Sequence, residues 1–291
     1  MSVSIGLTVI LWMMLSLRSV SLSTCETPRI ALVTGANKGI GYEIAKQLSS
    51  VGITTILACR SNGQNAATSL GCEHSVFLDL TDDSSIEQCR DYISTNFGKL
   101  DILVNNAAIC FNDPTLYGKV PFTPFEQQAG LTIDTNFFGT YKLTTALLPL
   151  LHKSNSGRII NIASSAGRLG IMRSQEKVEL FTNPKLTTDH LITHMNTFVK
   201  EVEAGIHAQN GWPNTCYGMS KLGIIAYTKI LARDHPDLLV NSVDPGYCAT
   251  DQNNHQGTRP AERGAMTPLL LATVDADFTG KHWFDEQEIR W

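Results

Sequence analysis

IALVTGANKGIGYEIAKQLSS, residues 30–50, contains the pattern that decides the fold. Residues 30–34 are a short apolar, β-branched run, as expected of a strand covered on both faces. The turn TGANKGIG follows directly and opens a helical pattern over residues 40–50. Strand, glycine-rich turn and helix in that order make a dinucleotide-binding unit. Its glycines permit a tight turn and close backbone approach to a pyrophosphate, whose charge the helix N-terminus meets. Gly35, Asn37, Lys38, Gly39, Ile40 and Gly41 are therefore candidate cofactor contacts.

Outward from this unit the same alternation repeats. Further strands are predicted at 53–59, 74–80, 100–106, 157–164 and 238–245, with helical stretches at 84–97, 125–151, 187–205 and 217–234. Near-continuous apolar strands separated by helices specify an α/β fold, here a Rossmann-like doubly wound parallel sheet with its site at the carboxyl ends of the strands. No internal repeat, low-complexity tract or linker divides the chain, so residues 29–291 are read as one domain.

An NAD site usually carries an acidic residue about 20 positions beyond the glycine turn, where it meets the ribose hydroxyls. Here the second strand ends in Cys59 followed by Arg60, and Lys38 lies inside the glycine turn. Two cations can converge on a 2′-phosphate, which favours NADP(H).

The chain is 43 % apolar and 17 % charged with a net charge of −4, giving no charge excess for nucleic acid or an acidic membrane. A small molecule is the expected partner. Cys25, Cys59, Cys72, Cys89, Cys110, Cys216 and Cys248 lack metal-ligand or disulfide-framework spacing and read as reduced, packed thiols; no metal is expected. Residues 3–17 are apolar and uncharged, too short for a comfortable bilayer span of about 20 residues. The leader, residues 1–24, reads equally as a signal peptide or as an uncleaved anchor, with an extension of no targeting value as the lesser alternative, and any membrane association would come through it alone. The domain is expected in the cytoplasm or facing the cytosol from a membrane, with the secretory route as the alternative. Absence of any Asn-x-Ser/Thr sequon and the unpaired thiols weigh against that route.

Tyr217 and Lys221, four residues apart in YGMSK, share one face of a helix. A lysine cation beside a phenol favours the phenolate, making tyrosine a usable general acid/base. With TGANKGIG, Asn105-Asn106-Ala107-Ala108, Asn136 in TNFFGT, NIASSAG from Asn161 and Asp244-Pro245-Gly246, in this order, the sequence resembles the short-chain dehydrogenase/reductase family over about residues 29–291. That resemblance implies a catalytic tetrad of Asn136, Ser164, Tyr217 and Lys221. Hydride would come from nicotinamide, and Tyr217 would protonate the developing alkoxide. Ser164 would hydrogen-bond the same oxygen, Lys221 would bind the ribose and lower the Tyr217 pKa, and Asn136 would hold a relay water. It also implies cofactor contacts at Asp79, Leu80, Asn106, Tyr217, Lys221, Pro245 and Gly246. Ser165 is read as a turn cap.

Ser164 and Tyr217 stand 53 residues apart, a longer gap than most of the family carries. With the GWP tripeptide at 211–213 and GAMTP at 264–268, this helical insertion, roughly 172–212, is similar to that of the monomeric NADPH carbonyl reductases. The resemblance thus implies a monomer reducing aldehydes, ketones or quinones with NADPH. An NADP-dependent steroid, prostaglandin or retinoid alcohol dehydrogenase and a catalytically silent NADPH-binding protein are the alternatives. Ala108, Asp244 and Tyr247 depart from the family's usual residues.

Overall fold

The computed structural model describes residues 28–112 and 121–291. Residues 30–34 form β1 (Ile30–Thr34), joined in the sheet by β2 (Thr54–Cys59), β3 (His74–Phe77), β4 (Ile102–Asn105), β5 (Arg158–Ile162), β6 (Leu239–Val243), β7 (His282–Phe284) and β8 (Gln287–Ile289). Their spatial order is β3-β2-β1-β4-β5-β6-β7-β8, parallel throughout except for the β7–β8 hairpin. Direction reverses between β1 and β4, so a crevice opens at the carboxyl ends of these two strands.

Helices cover both faces. Val33, Leu57, Val104 and Ile160 pack against Ile44, Ala45 and Leu48 of α1 (Gly39–Ser50). Leu32, Ile56, Leu103 and Ile159 point to the other face, with the intervening helices of the crossovers. Alternate residues of one strand thus feed two separate cores, as a pleated strand buried on both sides must. The remaining early helices are α2 (Gly63–Leu70), α3 (Asp83–Phe97), α4 (Phe125–Ile133) and α5 (Thr140–Leu151). Then come α6 (Gln175–Thr182), α7 (Thr188–Glu203), α8 (Cys216–Asp234), α9 (Ala261–Gly264) and α10 (Met266–Thr273).

The doubly wound sheet expected from the sequence is present, with three corrections. First, residues 78–80, Asn106, Ser164, Asp244 and Pro245, read as strand ends, leave the ladder, and of these residues 78–80 and Asn106 line the crevice. Second, the stretch 125–151 is not one α-helix: a π-helical segment, Asp134–Gly139, joins α4 to α5 and contains Asn136. Third, α2, α6, α9, α10 and the hairpin β7–β8 were not anticipated. The hairpin turns at Asp285 and Glu286, both at positive φ (49° and 59°). Aspartate suits the first of these positions, but glutamate does not favour the second. Arg263 grips Glu286 through two nitrogens at 2.6 and 2.7 Å, and Arg259 holds Asp285 at 2.7 Å.

The insertion between Ser164 and Tyr217 folds as α6 and α7. Leu191, Met195, Phe198 and Val202 of α7 are buried in the core they share with α8. Trp212 closes the insertion: it is fully buried against Phe181 and Phe198, and its indole N–H donates to Glu201 Oε2 at 2.7 Å. The apolar leader, 1–24, lies outside the described residues. Among those described, no helix is long and apolar enough to cross a membrane, and six cysteines are free thiols.

Candidate active site

The crevice is a cleft of about 530 Å³, within the roughly 300–1,000 Å³ usual for small-molecule sites. Gly35, Asn37, Lys38, Gly39, Ile40 and Gly41 form one side, Arg60, Asp79 and Leu80 another, and Asn106 the base. All the residues predicted from the glycine turn therefore come together. Ser61, Asn62, Ile109, Thr250, Asp251 and Gln252 also line the cleft and were missed. Ser61 and Asn62 adjoin Arg60 in sequence, but residues 250–252 carry no motif and arrive only through tertiary folding.

Local bonds make this cradle rigid. Thr34 Oγ1 accepts the N–H groups of Asn106 and Ala107, each at 2.9 Å, and the Asn106 amide donates to Thr34 O at 2.8 Å. A Cβ on Gly41 would lie 2.5 Å from Gly35 O and would also strike the Asn106 amide, so only glycine lets α1 start this close to the turn. Lys38 is the N-cap of α1, and no side chain there accepts from the first-turn N–H groups. Those donors, with the positive end of the helix dipole, are left for an anion. At the rim Lys38 pairs with Asp251 at 3.0 Å and Arg60 lies 3.9 Å from Asp79; both cations are about three-fifths exposed. Hydrogen bonding from Lys38, aided by His255, holds the Asp251 carboxyl below its ordinary value.

Tyr217 and Lys221 lie on the first turns of α8, which Thr215 caps by accepting the Gly218 N–H at 3.0 Å. Nearly every residue of this helix from 216 to 231 is buried. Lys221 is 3 % exposed and its ammonium donates to Ile162 O at 2.7 Å, the last carbonyl of β5. Burial lowers it to about 8, against the opposing pull of Cys110 and Asp244. The Tyr217 ring centroid lies 5.6 Å from the Lys221 ammonium. Spacing alone predicts a lowered phenol, yet Tyr217 is pushed above its ordinary value. Burial dominates, Cys110 and Asp244 add to it, and a hydrogen bond with Ser164 opposes it.

Ser164 leaves β5 and caps the short 3-10 turn Ser165–Gly167, its hydroxyl accepting the Ala166 N–H at 3.2 Å. The capping role expected of Ser165 thus belongs to Ser164, while Ser165 is exposed. Gly167 lets the turn rest directly on α8: a Cβ there would be 2.6 Å from the Lys221 carbonyl carbon and 2.7 Å from Leu222 N. Asn136 is 2 % exposed, and its side chain bridges two elements. It accepts from Ile109 N at 2.8 Å and donates to Ile109 O at 2.9 Å and Ser220 Oγ at 3.0 Å. The π-helical segment aims this amide, and the result is a clamp between the loop after β4 and α8.

Pro245 and Gly246 do not line the cleft. They make the turn after β6, where Pro245 O accepts the Cys248 thiol and the Gly246 N–H donates to Asp244 Oδ1 at 2.9 Å. The arrangement offers a glycine-floored anion cradle and, joined to its edge through Ile109, Asn136 and Ser220, a half-buried phenol and hydroxyl with a buried ammonium, none of which lines the cleft itself; together they suit proton delivery to an oxygen beside a bound dinucleotide.

Comparison with known proteins agrees with this geometry. The short chain dehydrogenase family model matches residues 29–175. Carbonyl reductase (NADPH) 3 of Mus musculus is 37 % identical, with 90 % of this chain and 96 % of that protein covered. The (+)-neomenthol dehydrogenase of Capsicum annuum is 34 % identical, with 90 % and 96 % covered. Among solved structures, salutaridine reductase from Papaver somniferum superposes with a TM-score of 0.79 at 34 % identity, covering 88 % of this chain and 99 % of that one.

Proposed function

Because the chain belongs to the short chain dehydrogenase family, we propose that it reduces aldehydes, ketones or quinones to alcohols with NADPH. The observation that carries this reading is the buried Lys221 ammonium, held by Ile162 O at 2.7 Å and 5.6 Å from the Tyr217 ring, on the helix against which the Ser164–Gly167 turn rests. Gly35, Lys38, Gly39, Gly41, Arg60 and Asn106 would hold NADPH, whose chemistry there would be the supply of hydride. Tyr217 stays a phenol near neutral pH and donates its proton to the alkoxide oxygen, and Ser164 steadies that oxygen by a hydrogen bond. Lys221 is the charge beside Tyr217, fixed by Ile162 O. Asn136 acts as the clamp that sets Ile109 at the cleft edge, beside the relay-water role the family resemblance implies.

Lys38 and Arg60 select the 2′-phosphate. Exposed ion pairs such as Lys38–Asp251 contribute only about 0–1 kcal/mol, so a phosphate dianion displaces the carboxylate readily. No feature of the site favours an alcohol dehydrogenase of steroids, prostaglandins or retinoids, or a silent binding protein. The insertion supports a monomer, since α7 buries its apolar face on the protein's own core. The six free thiols support a reducing, cytosolic setting for the domain.

The test is NADPH and NADH oxidation, followed at 340 nm with a quinone, an aromatic aldehyde and a keto-steroid, for the wild type and Tyr217→Phe. Turnover with NADPH well above NADH, lost by about 10²–10⁴-fold in Tyr217→Phe with NADPH binding retained, is the expected result. Full turnover by Tyr217→Phe, or preference for NADH, would refute it.

A further inference from the structure

Asp244 is the first residue beyond β6, and its backbone N–H still bonds to Trp283 O at 2.8 Å. Alternation along the strand decides where it faces. Val243 packs with α1 and α10, whereas Val240 packs with Ile224 and Ile225 of α8. Val240, Ser242 and Asp244 therefore share the α8 face. Ile162 and Val243 are register partners, so the carbonyl that holds the Lys221 ammonium is one strand across from Asp244 and one residue short of it.

Asp244 is 6 % exposed, and burying a carboxylate is unfavourable unless something offsets it. Its Oδ1 accepts the Gly246 N–H and so fixes the Pro245-Gly246 turn. Asparagine would close the same turn with no charge to bury, so turn closure does not account for the carboxylate. Its charge acts on Tyr217 and Lys221 from α8, His282 from β7 and Cys248 past the turn; Cys110, from the loop after β4, faces the same Tyr217 and Lys221, Arg259 packs on the Pro245-Gly246 turn, and Lys229 of α8 faces His282. Arg259 is engaged by Asp285 at 2.7 Å. Burial lowers His282 to about 4 and raises both thiols, so these three are neutral near pH 7. Lys229 turns its ammonium over the Trp291 ring at 5.7 Å, whereas Lys221 is buried and held one strand across from Asp244, so Lys221 is the cation placed to balance the charge.

We propose that Asp244 is a positioning residue of the active centre, whose buried carboxylate holds Lys221 as an ammonium and Tyr217 as a phenol. This rests on reading Tyr217 and Lys221 as the proton-handling pair. A nearby anion favours the ammonium and disfavours the phenolate, so it raises both groups. Reduction needs the ammonium and the phenol together. Removing the anion therefore brings the alkaline limit of activity to lower pH.

The experiment is the pH dependence of kcat for NADPH oxidation from pH 5.5 to 10 in the wild type, Asp244→Asn and Asp244→Ser, with folding checked by circular dichroism. Both substitutions keep an oxygen for the Gly246 N–H and remove the charge, so either one that folds decides the matter. The alkaline limb should move down by about 0.5–1 pH unit, so that the loss in kcat deepens several-fold between pH 6 and pH 9. A limb that stays in place, whether kcat is normal or uniformly reduced, would leave Asp244 as a turn cap and overturn the proposal. Tyr217→Phe separates the premises: if it turns over normally the proton-handling reading fails first, and if it is inactive while the limb is unmoved only the role of Asp244 fails.

Discussion

Gly167→Ala tests whether the contact between the Ser164 turn and α8 sets the catalytic geometry. The added methyl would sit 2.6 Å from the Lys221 carbonyl carbon, 2.7 Å from Leu222 N and 2.9 Å from Lys221 Cβ. Two of these are backbone atoms of a buried helix, which cannot yield as a flexible side-chain tip would. Ordinary contact begins near 3.4 Å, so the turn must retreat by about 0.8 Å, carrying Ser164 away from the Tyr217 hydroxyl. Overpacking of this kind destabilises by about 1–3 kcal/mol. A displacement of about 1 Å at reacting groups lowers turnover by about 10²-fold. The variant should therefore bind NADPH within a few-fold of the wild type, melt several degrees lower, and lose about 10–100-fold in kcat. Binding by fluorescence, melting by calorimetry and turnover at 340 nm separate the three effects. Wild-type kcat in a variant melting at the wild-type temperature would show that the approach at Gly167 does not set the position of Ser164.

Removing the rim cations in Lys38→Ala/Arg60→Ala should raise KM for NADPH by about 10–100-fold while changing KM for NADH little, as steady-state kinetics with both cofactors would show. Trp212→Ala should lower stability by about 3–5 kcal/mol, read from urea unfolding, because it empties a fully buried site and orphans Glu201. His282 is 5 % exposed and lowered to about 4 in the folded chain, from an ordinary 6.5. Between these values the unfolded chain takes up a proton that the native chain refuses, so stability falls as pH drops from 6.5 to 4, by on the order of 3 kcal/mol. His282→Asn should abolish most of that slope in urea midpoints measured at pH 7 and pH 4.5.

The sheet was legible because β1, β2, β4, β5 and β6 are near-continuous buried runs and pattern alone reports double coverage, while the half-buried edge strand β3 follows from the alternation of elements. The β7–β8 hairpin was not, since three-residue strands carry no periodicity and its Asp285-Glu286 turn is stabilised by arginines more than 20 positions away. The same contrast divides the site. Gly35, Gly39 and Gly41 announce the cradle because positive φ at Gly35 and Gly39 and close approach at Gly41 exclude other residues. Thr250, Asp251 and Gln252 reach the cleft with ordinary polar side chains whose placement depends on the turn after β6. The π-helical segment was hidden because apolar spacing is continuous through residues 125–151, and the close packing at its end is tertiary: a Cβ on Gly139 would lie 2.6 Å from the Leu80 carbonyl oxygen.

Lys38 and Arg60 are about three-fifths exposed, whereas Lys221 is 3 % exposed, and that contrast separates cofactor choice from chemistry. At the rim, water and salt screen every interaction, and the Debye length of about 8 Å at physiological ionic strength makes discrimination at the 2′-phosphate weaken with salt. At the catalytic end the low dielectric magnifies each charge, so the balance among Lys221, Asp244 and Tyr217 is set by burial and by fixed bonds to Ile162 and Gly246. A substitution at the rim can therefore change which cofactor is preferred while leaving the proton step alone. One charge removed from the buried group alters the protonation of both partners at once.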